Sequence, residues 1–379
     1  MKREAYAAAR TISPKLHDYF ARHREEALAR GGRQLAPLPD AETIEAVIDA
    51  AFWTSLRREE GYSPLISLAL LSPQDARQPL LFERSLPLDP AILTRVAPAV
   101  ERPGTHLGVW RPNSELCVWG ATRAIPVLCF VLEVAAPGLL VIKHHRGEES
   151  RKYINVAVLE GDQIKLVKEQ AGGRPDPPPV LKSLLYLDSP VAAAQSARTM
   201  LQLAVSMREH RRGGLLLVVP AETGEWRESI LEPMPYAVSP PFTELACLNG
   251  KHPDAAQAHA WEEAARPAIA AIGGLTAVDG AVVLNNRYEL LGFGAKIVRR
   301  RGGQRVEQVM LAEPIEGSVP ALVHPEQLGG TRHLAAAQFV HDQRDAVALV
   351  ASQDGRFTVF ERSPGDSEVH AYRVETLLL

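Results

Sequence analysis

The stretch Gly172-Gly173-Arg174-Pro175-Asp176-Pro177-Pro178-Pro179 constrains this chain more than any other. Proline fixes φ and has no N–H, so neither a helix interior nor a central strand can run through it. Proline-rich sequence of this kind works as a semi-rigid spacer. It divides the 379 residues into an N-terminal domain over 1–170, a linker over 171–184 and a C-terminal domain over 185–379.

Beyond the linker the pattern is α/β. Ser189-Pro190 is an N-cap followed by a proline at the first helical position, and the helix it starts is expected to reach about Arg212. Gly213-Gly214 ends it. Leu215 to Val219 is apolar at every position, the mark of a strand buried on both faces. Residues 221–252, with prolines at 233, 235, 240 and 241, read as mostly loop. A helix over Asp254 to Ile272, with an interruption at Pro267, leads to Asp279-Gly280. Strands Ala281–Leu284 and Tyr288–Phe293 pair across Asn285-Asn286, and Val298 to Gly303 reads as a basic surface turn. A short strand is expected over Gln308–Ala312, further strands over Asp345–Ser352 and Phe357–Glu361, and an edge strand over Tyr372–Leu379.

Between them lies Gly329-Gly330-Thr331-Arg332-His333, running into Leu334-Ala335-Ala336-Ala337. Glycine allows positive φ and close approach of a ligand. Thr331 is placed to N-cap the helix of the alanine run. The first turn of a helix presents free N–H groups and the positive end of the dipole, a seat for phosphate. Arg332 adds a planar, permanently charged fork, and His333 a proton carrier or metal ligand. By itself the stretch reads first as a plain capped helix with a chance arginine and histidine.

The order of Asp279-Gly280-Ala281, then Gly330-Thr331-Arg332-His333, then Asp345 to Ser352 resembles the diadenylate cyclase domain family, whose signatures are DGA and GTRHR. The likeness spans roughly Leu185 to Phe360. The segment before it resembles DACNV, a probable sensor domain that precedes such cyclases. The resemblance implies an α/β, mixed-sheet cyclase-like domain flanked by helices, preceded by an α+β sensor domain. It implies condensation of two ATP into cyclic di-AMP and two pyrophosphates, under control of an unidentified effector of the N-terminal domain. Asp279, Arg332 and His333 are then the catalytic candidates. Gly280, Ala281, Gly330, Thr331, Arg332 and Ser352 bind substrate, and Asp279 and His333 hold Mg²⁺ or Mn²⁺. The two-fold symmetric product implies a homo-oligomer with cyclase domains face to face. Two positions depart from the pattern. Leu334 stands where the family has a second arginine, and Gln353-Asp354 follow Ser352 where acids are usual. A catalytically degenerate module that binds a nucleotide or cyclic dinucleotide is the second reading.

The N-terminal domain begins helical, over Ala7–Arg10 and Leu16–Arg30, with Asp40 capping a helix whose Ile44, Val47, Ile48, Ala51 and Phe52 share a face. Strands are expected over Pro64–Leu71, Leu80–Glu83, His106–Arg111, Leu116–Gly120, Pro126–Val134, Leu139–Lys143 and Tyr153–Leu159, with a hairpin at Glu160-Gly161-Asp162 leading into Ile164–Val167 and a short helix over Ala91–Val100. Lys143-His144-His145-Arg146 with Arg151-Lys152 reads as a solvated basic loop, or as a grip for an anionic effector. Gly108 to Gly120 and Gly280 to Gly292 share strand, turn, strand and glycine at equal spacing, as a duplication or any two hairpins would.

Composition narrows the classes left. A net charge of −3 provides no field for nucleic acid or anionic membrane, and no basic-aromatic motif appears. No run of apolar residues is long enough to span a bilayer and none heads the chain as a signal peptide, so a cytoplasmic protein is expected. Cys117, Cys129 and Cys247 have no zinc spacing and are expected as thiols.

Overall fold

A computed structural model describes residues 4–101, 104–112, 115–147, 150–170, 174–175, 190–249, 258–362 and 368–378. It divides into two compact units, Met1–Pro175 and Asp176–Leu378. Most of the linker, Ser189 and Asp254 to Gln257 lie outside the described residues.

The first unit opens with α1 (Ala7–Ala29) and α2 (Ala41–Ser55). Pro14 sits inside α1, so the helix continues where the sequence predicts a break. Asp40 caps α2 as expected, accepting from the Thr43 N–H at 2.7 Å. The strands are β1 (Ser67–Leu70), β2 (Leu80–Pro87), β3 (His106–Trp110), β4 (Cys117–Thr122), β5 (Phe130–Ala136), β6 (Leu139–Gly147), β7 (Ser150–Glu160) and β8 (Gln163–Leu166), with α3 (Pro90–Val96) before β3. They form one mixed sheet in the order β2-β4-β3-β1-β5-β6-β7-β8. β1 and β3 are parallel, and every other pair is antiparallel. Ile12, Leu16, Phe20, Ile44, Val47 and Ile48 of the two helices pack on one face of it. The basic run is no loop: β6 carries Lys143 and His144 as buried strand residues, 9% and 4% exposed. Two short segments, β9 (Glu169–Gln170) and β10 (Arg174–Pro175), pair with each other beyond β8.

The second unit is built on β11 (Gly214–Val219), buried at all six positions. Before it comes α4 (Pro190–Glu209). After it come β12 (Tyr236–Phe242), α5 (Glu244–Asn249), α6 (Ala258–Leu275), and the hairpin β13 (Ala281–Asn285) and β14 (Leu290–Ala295). Then follow β15 (Val309–Ala312), β16 (Ala321–Val323), α7 (Thr331–Asp342), β17 (Val347–Ala351), β18 (Phe357–Arg362), β19 (Val369–Arg373) and α8 (Glu375–Leu378). The sheet order is β12-β14-β13-β11-β17-β18-β19-β15-β16. Helices α4 and α6 pack Met200, Leu203, Met207, Ala265 and Ile272 on one face. The other face lies against α7 through Ala336, Ala337, Phe339 and Val340.

Four local expectations are corrected. Pro240 and Pro241 lie in a strand rather than a loop, which is permitted because β12 is at the sheet edge. Pro267 lies inside an unbroken α6. The C-terminal strand spans Val369–Arg373, lies between β18 and β15 rather than at an edge, and is followed by a helix. Helix α7 starts with Thr331 as its first residue; the cap is Gly330, and no side chain bonds there.

Candidate functional site

Asp279 and Gly280 form the bend between the end of α6 and the first residue of β13. Gly280 has φ +112°, and a Cβ there would fall 2.4 Å from the Gly294 carbonyl carbon. Only glycine satisfies both conditions, so the bend is pressed onto β14. Asp279 projects from it, with a side chain 90% exposed. Its carboxylate accepts a hydrogen bond from Lys296 Nζ at 2.6 Å. That bond and the lysine's charge, with a further contribution from Arg332, hold the carboxyl below the usual aspartate range.

The second component is the tip of α7. The His333 N–H donates to the Gly330 carbonyl at 3.0 Å and closes the first turn. Helix geometry leaves the earlier N–H groups of this turn without intrahelical acceptors. The Arg332 guanidinium lies over the head of β11: a Cβ on Gly213 would meet its Nη1 at 2.9 Å. Beside it, burial first and then the charges of Arg212 and Arg332 lower the pKa of His210.

His333 is buried behind the tip. It is 2% exposed. Its Nδ1 lies beneath Gly329, where a Cβ would come within 2.4 Å, and its Nε2 is 3.4 Å from Thr358 Oγ1. Its ring meets Phe360 edge to face with centroids 6.1 Å apart. Burial, with Arg373 nearby, lowers its pKa to about 4, so the imidazole is neutral at pH 7. The ring as placed anchors the helix start to β18 and also borders the cavity. Among the described residues, no group of three or more His, Cys, Asp or Glu side chains is placed to hold a metal ion.

The third component is the turn after β17. The Ser352 N–H donates to the Arg356 carbonyl at 2.8 Å, and the Ser352 carbonyl accepts from the Gly355 N–H at 3.2 Å. Gln353 reaches the Arg212 carbonyl at 3.4 Å. Asp354 accepts from the Arg356 N–H at 3.3 Å and pairs with the Arg356 guanidinium at 3.6 Å. It is a turn residue that also borders the site.

The three components meet around one cavity of about 640 Å³. Asp279, Gly280 and Ala281 line it from one side, Gly330, Thr331, Arg332 and His333 from another, and Ser352, Gln353 and Asp354 from a third. This volume lies within the range of small-molecule sites. The structure therefore brings together every residue that the sequence nominated. It adds Lys296, which sequence reasoning missed. The hairpin register held the signal: Ala281 pairs with Ala295, so Lys296, just after β14, falls beside the Asp279-Gly280 bend that precedes β13.

One carboxylate stands among Lys296, Arg332 and a helix start, so the cavity suits an anionic ligand with several oxygens. A divalent cation fits this donor set through Asp279, with Asp354 as a second carboxylate on the cavity border. Mg²⁺ is commonly held by one or two carboxylates together with the substrate's phosphates and water.

Residues 33–123, inside the first unit, match the family model described as probable sensor domain DACNV. No curated protein matches the chain. No helix among the described residues is long and apolar enough to cross a membrane.

Proposed function

We propose that the C-terminal unit is a diadenylate cyclase that joins two ATP molecules into cyclic di-AMP with release of two pyrophosphates, and that the N-terminal unit regulates it. The observation that carries this reading is the convergence of Asp279-Gly280, Gly330-Thr331-Arg332 and Ser352, far apart along the chain, on one cavity.

In each half-reaction a ribose 3′-oxygen bonds to the α-phosphorus of the other ATP, the bond to pyrophosphate breaks, and the hydroxyl proton is released. Arg332 and the N–H groups of the α7 tip balance the charge on the phosphate oxygens. A bound Mg²⁺ or Mn²⁺ supplies further charge neutralisation on the phosphates. Asp279, with its lowered pKa, is ionised at neutral pH. That makes it a better cation ligand than proton acceptor. Gly330, which has open space around its Cα, leaves room for a phosphate against the backbone. His333 acts by holding the tip. Each chain has one such site, so two cyclase units must meet face to face, and turnover rises with association.

The second reading, a binding module without turnover, draws support from Leu334 and from the buried His333. The test is incubation of the purified chain with ATP and Mn²⁺ or Mg²⁺ and analysis of products by mass. A cyclic dinucleotide made by the natural chain and missing with Asp279→Asn is the expected result. ATP binding without product at high protein concentration selects the second reading, and neither binding nor product overturns both.

A further inference from the structure

The two sheets share a strand order. Reading β2-β4-β3-β1-β5-β6-β7 against β12-β14-β13-β11-β17-β18-β19 gives seven strands in the same sequence of neighbours, with the parallel pair at the same place. Their hairpins break register at the same point. Gly108 pairs with Gly120 and Val109 with Val118; Val283 pairs with Gly292 and Leu284 with Leu290. Gly120 therefore corresponds to Gly292, and Gly108 to Val283 rather than to Gly280. The equal spacing in the sequence is misaligned at its start, because the hairpin loops differ in length.

This register identifies corresponding residues on the face that α7 covers in the second unit. Leu215, Ala281, Val350, Phe360 and Val369 belong to the apolar cluster beneath that helix. Their counterparts are Ser67, His106, Glu133, Lys143 and Tyr153. The first unit has no helix between β4 and β5. All five polar counterparts line a cavity of about 1270 Å³ at the corresponding end of the sheet.

These five residues form one network. Ser67 Oγ lies 2.8 Å from His106 Nδ1, and His106 Nε2 lies 2.7 Å from the Tyr153 hydroxyl. Lys143 pairs with Glu133, and its ammonium lies 4.9 Å from the centroid of the Tyr153 ring. Ser67, His106 and Lys143 are 8%, 2% and 9% exposed. Of the five, Tyr153 alone also packs against an apolar cluster, whereas in the second unit all five corresponding residues are apolar and pack together. Burial holds the imidazole neutral, with a pKa of about 4. The Lys143 and Glu133 charges cancel, and at the rim Arg77 and Arg123 are balanced by Asp75 and Glu101. A polyphosphate is therefore disfavoured. Hydroxyl, carboxylate and ammonium groups offer donors and acceptors side by side, between apolar walls that include Ile66, Val100, Ile125 and Val134.

We propose that the N-terminal unit repeats the seven-strand sheet of the C-terminal unit without its covering helix, and that the exposed end is the effector site, which takes a nucleoside through Ser67, His106, Glu133, Lys143 and Tyr153. The test is titration of the full chain bearing Arg332→Ala, which disables the C-terminal cavity, with adenosine, guanosine, cytidine and uridine by calorimetry. One nucleoside is expected to bind at one site per chain, and Tyr153→Phe or His106→Gln in that background weakens it by about tenfold or more. Hydrogen exchange is expected to slow at the starts of β1 and β3, which decides the matter if a variant is unstable. No saturable binding of the four nucleosides, or binding that survives Tyr153→Phe and His106→Gln, overturns the proposal. Binding by the natural chain that disappears with Arg332→Ala also overturns it, while leaving the cyclase reading intact. A chain that binds a nucleoside here yet makes no cyclic dinucleotide sinks only the cyclase reading.

Discussion

In the C-terminal unit Leu215, Ala281, Val350, Phe360 and Val369 are all apolar and belong to the cluster packed with α7, the first three also bordering the cavity at its tip; in the N-terminal unit Ser67, His106, Glu133, Lys143 and Tyr153 hold the same register, are all polar and face a cavity. The helix makes the difference. Where it is present, these five sheet positions are apolar, and the polar groups of the site come from the helix tip and two flanking turns. Where it is missing, the sheet itself carries the polar groups. One framework thus yields a site made of loops and a site made of strands. The first suits an extended anion held by backbone and guanidinium. The second suits a compact molecule that replaces hydrogen bonds to water.

This contrast is open to attack from both sides. The largest expected effect is on turnover: Asp279→Asn lowers cyclic dinucleotide formation by about 10³-fold with thermal stability unchanged, read by mass analysis and melting. A smaller loss would place the chemistry elsewhere and break the contrast. Next comes acid sensitivity. His106 and His333 both have pKa values lowered to about 4, one in each unit. A neutral form favoured by the fold gives stability that is complete above the unfolded value near 6.5 and is lost as pH falls toward about 4. Each histidine contributes on the order of 3 kcal/mol to that loss. Melting curves over this range are expected to fall for the natural chain and less steeply for His106→Gln.

The third test exchanges the two faces. Val350→Glu sets an unpaired carboxylate beneath α7 and is expected to cost about 3 kcal/mol. Glu133→Val together with Lys143→Phe, which removes the ion pair as a unit and installs the second unit's residues at the corresponding positions, costs less than half as much in denaturant unfolding. Equal costs would mean that the two faces do not differ as described. The fourth separates neighbours. Gly329→Ala forces a methyl into the His333 ring and loses about 1–3 kcal/mol, whereas Gly330→Ala meets open space, leaves the melting temperature unchanged and weakens ATP binding. Smallest is Lys296→Met. Without the ammonium Asp279 returns toward an ordinary carboxylate pKa, so the acid limb of the activity profile moves to higher pH, with KM changed about threefold.

The parts legible in the sequence were those with one physical reading. Leu215 to Val219 has no polar face, so it had to be a central strand. Asp40 preceded an amphipathic run and capped it. The site motifs were legible because residue type and order survive without coordinates, and their convergence on one cavity was not. Lys143 and His144 were misread because charge in a sequence signals solvent, whereas here Lys143 faces a cavity from within a strand and His144 lies against Tyr19 and Phe20 of α1. Lys296 was invisible because its partner comes from hairpin register, not from any motif. Pro14 and Pro267 were given too much weight. Packing of α1 and α6 on their sheets offsets the hydrogen bond that each proline removes.

Ala336 and Ala337 are fully buried where α7 crosses its sheet. Their small size sets the height at which the rod rests, and the rod carries Arg332 at one end. A bulkier residue at either alanine would tilt the rod as a wedge under a lever, displacing the guanidinium without touching it. Ala337→Val is then a tuning screw for the placement of Arg332, hidden in the core; under the proposed function its effect on turnover should exceed its effect on melting.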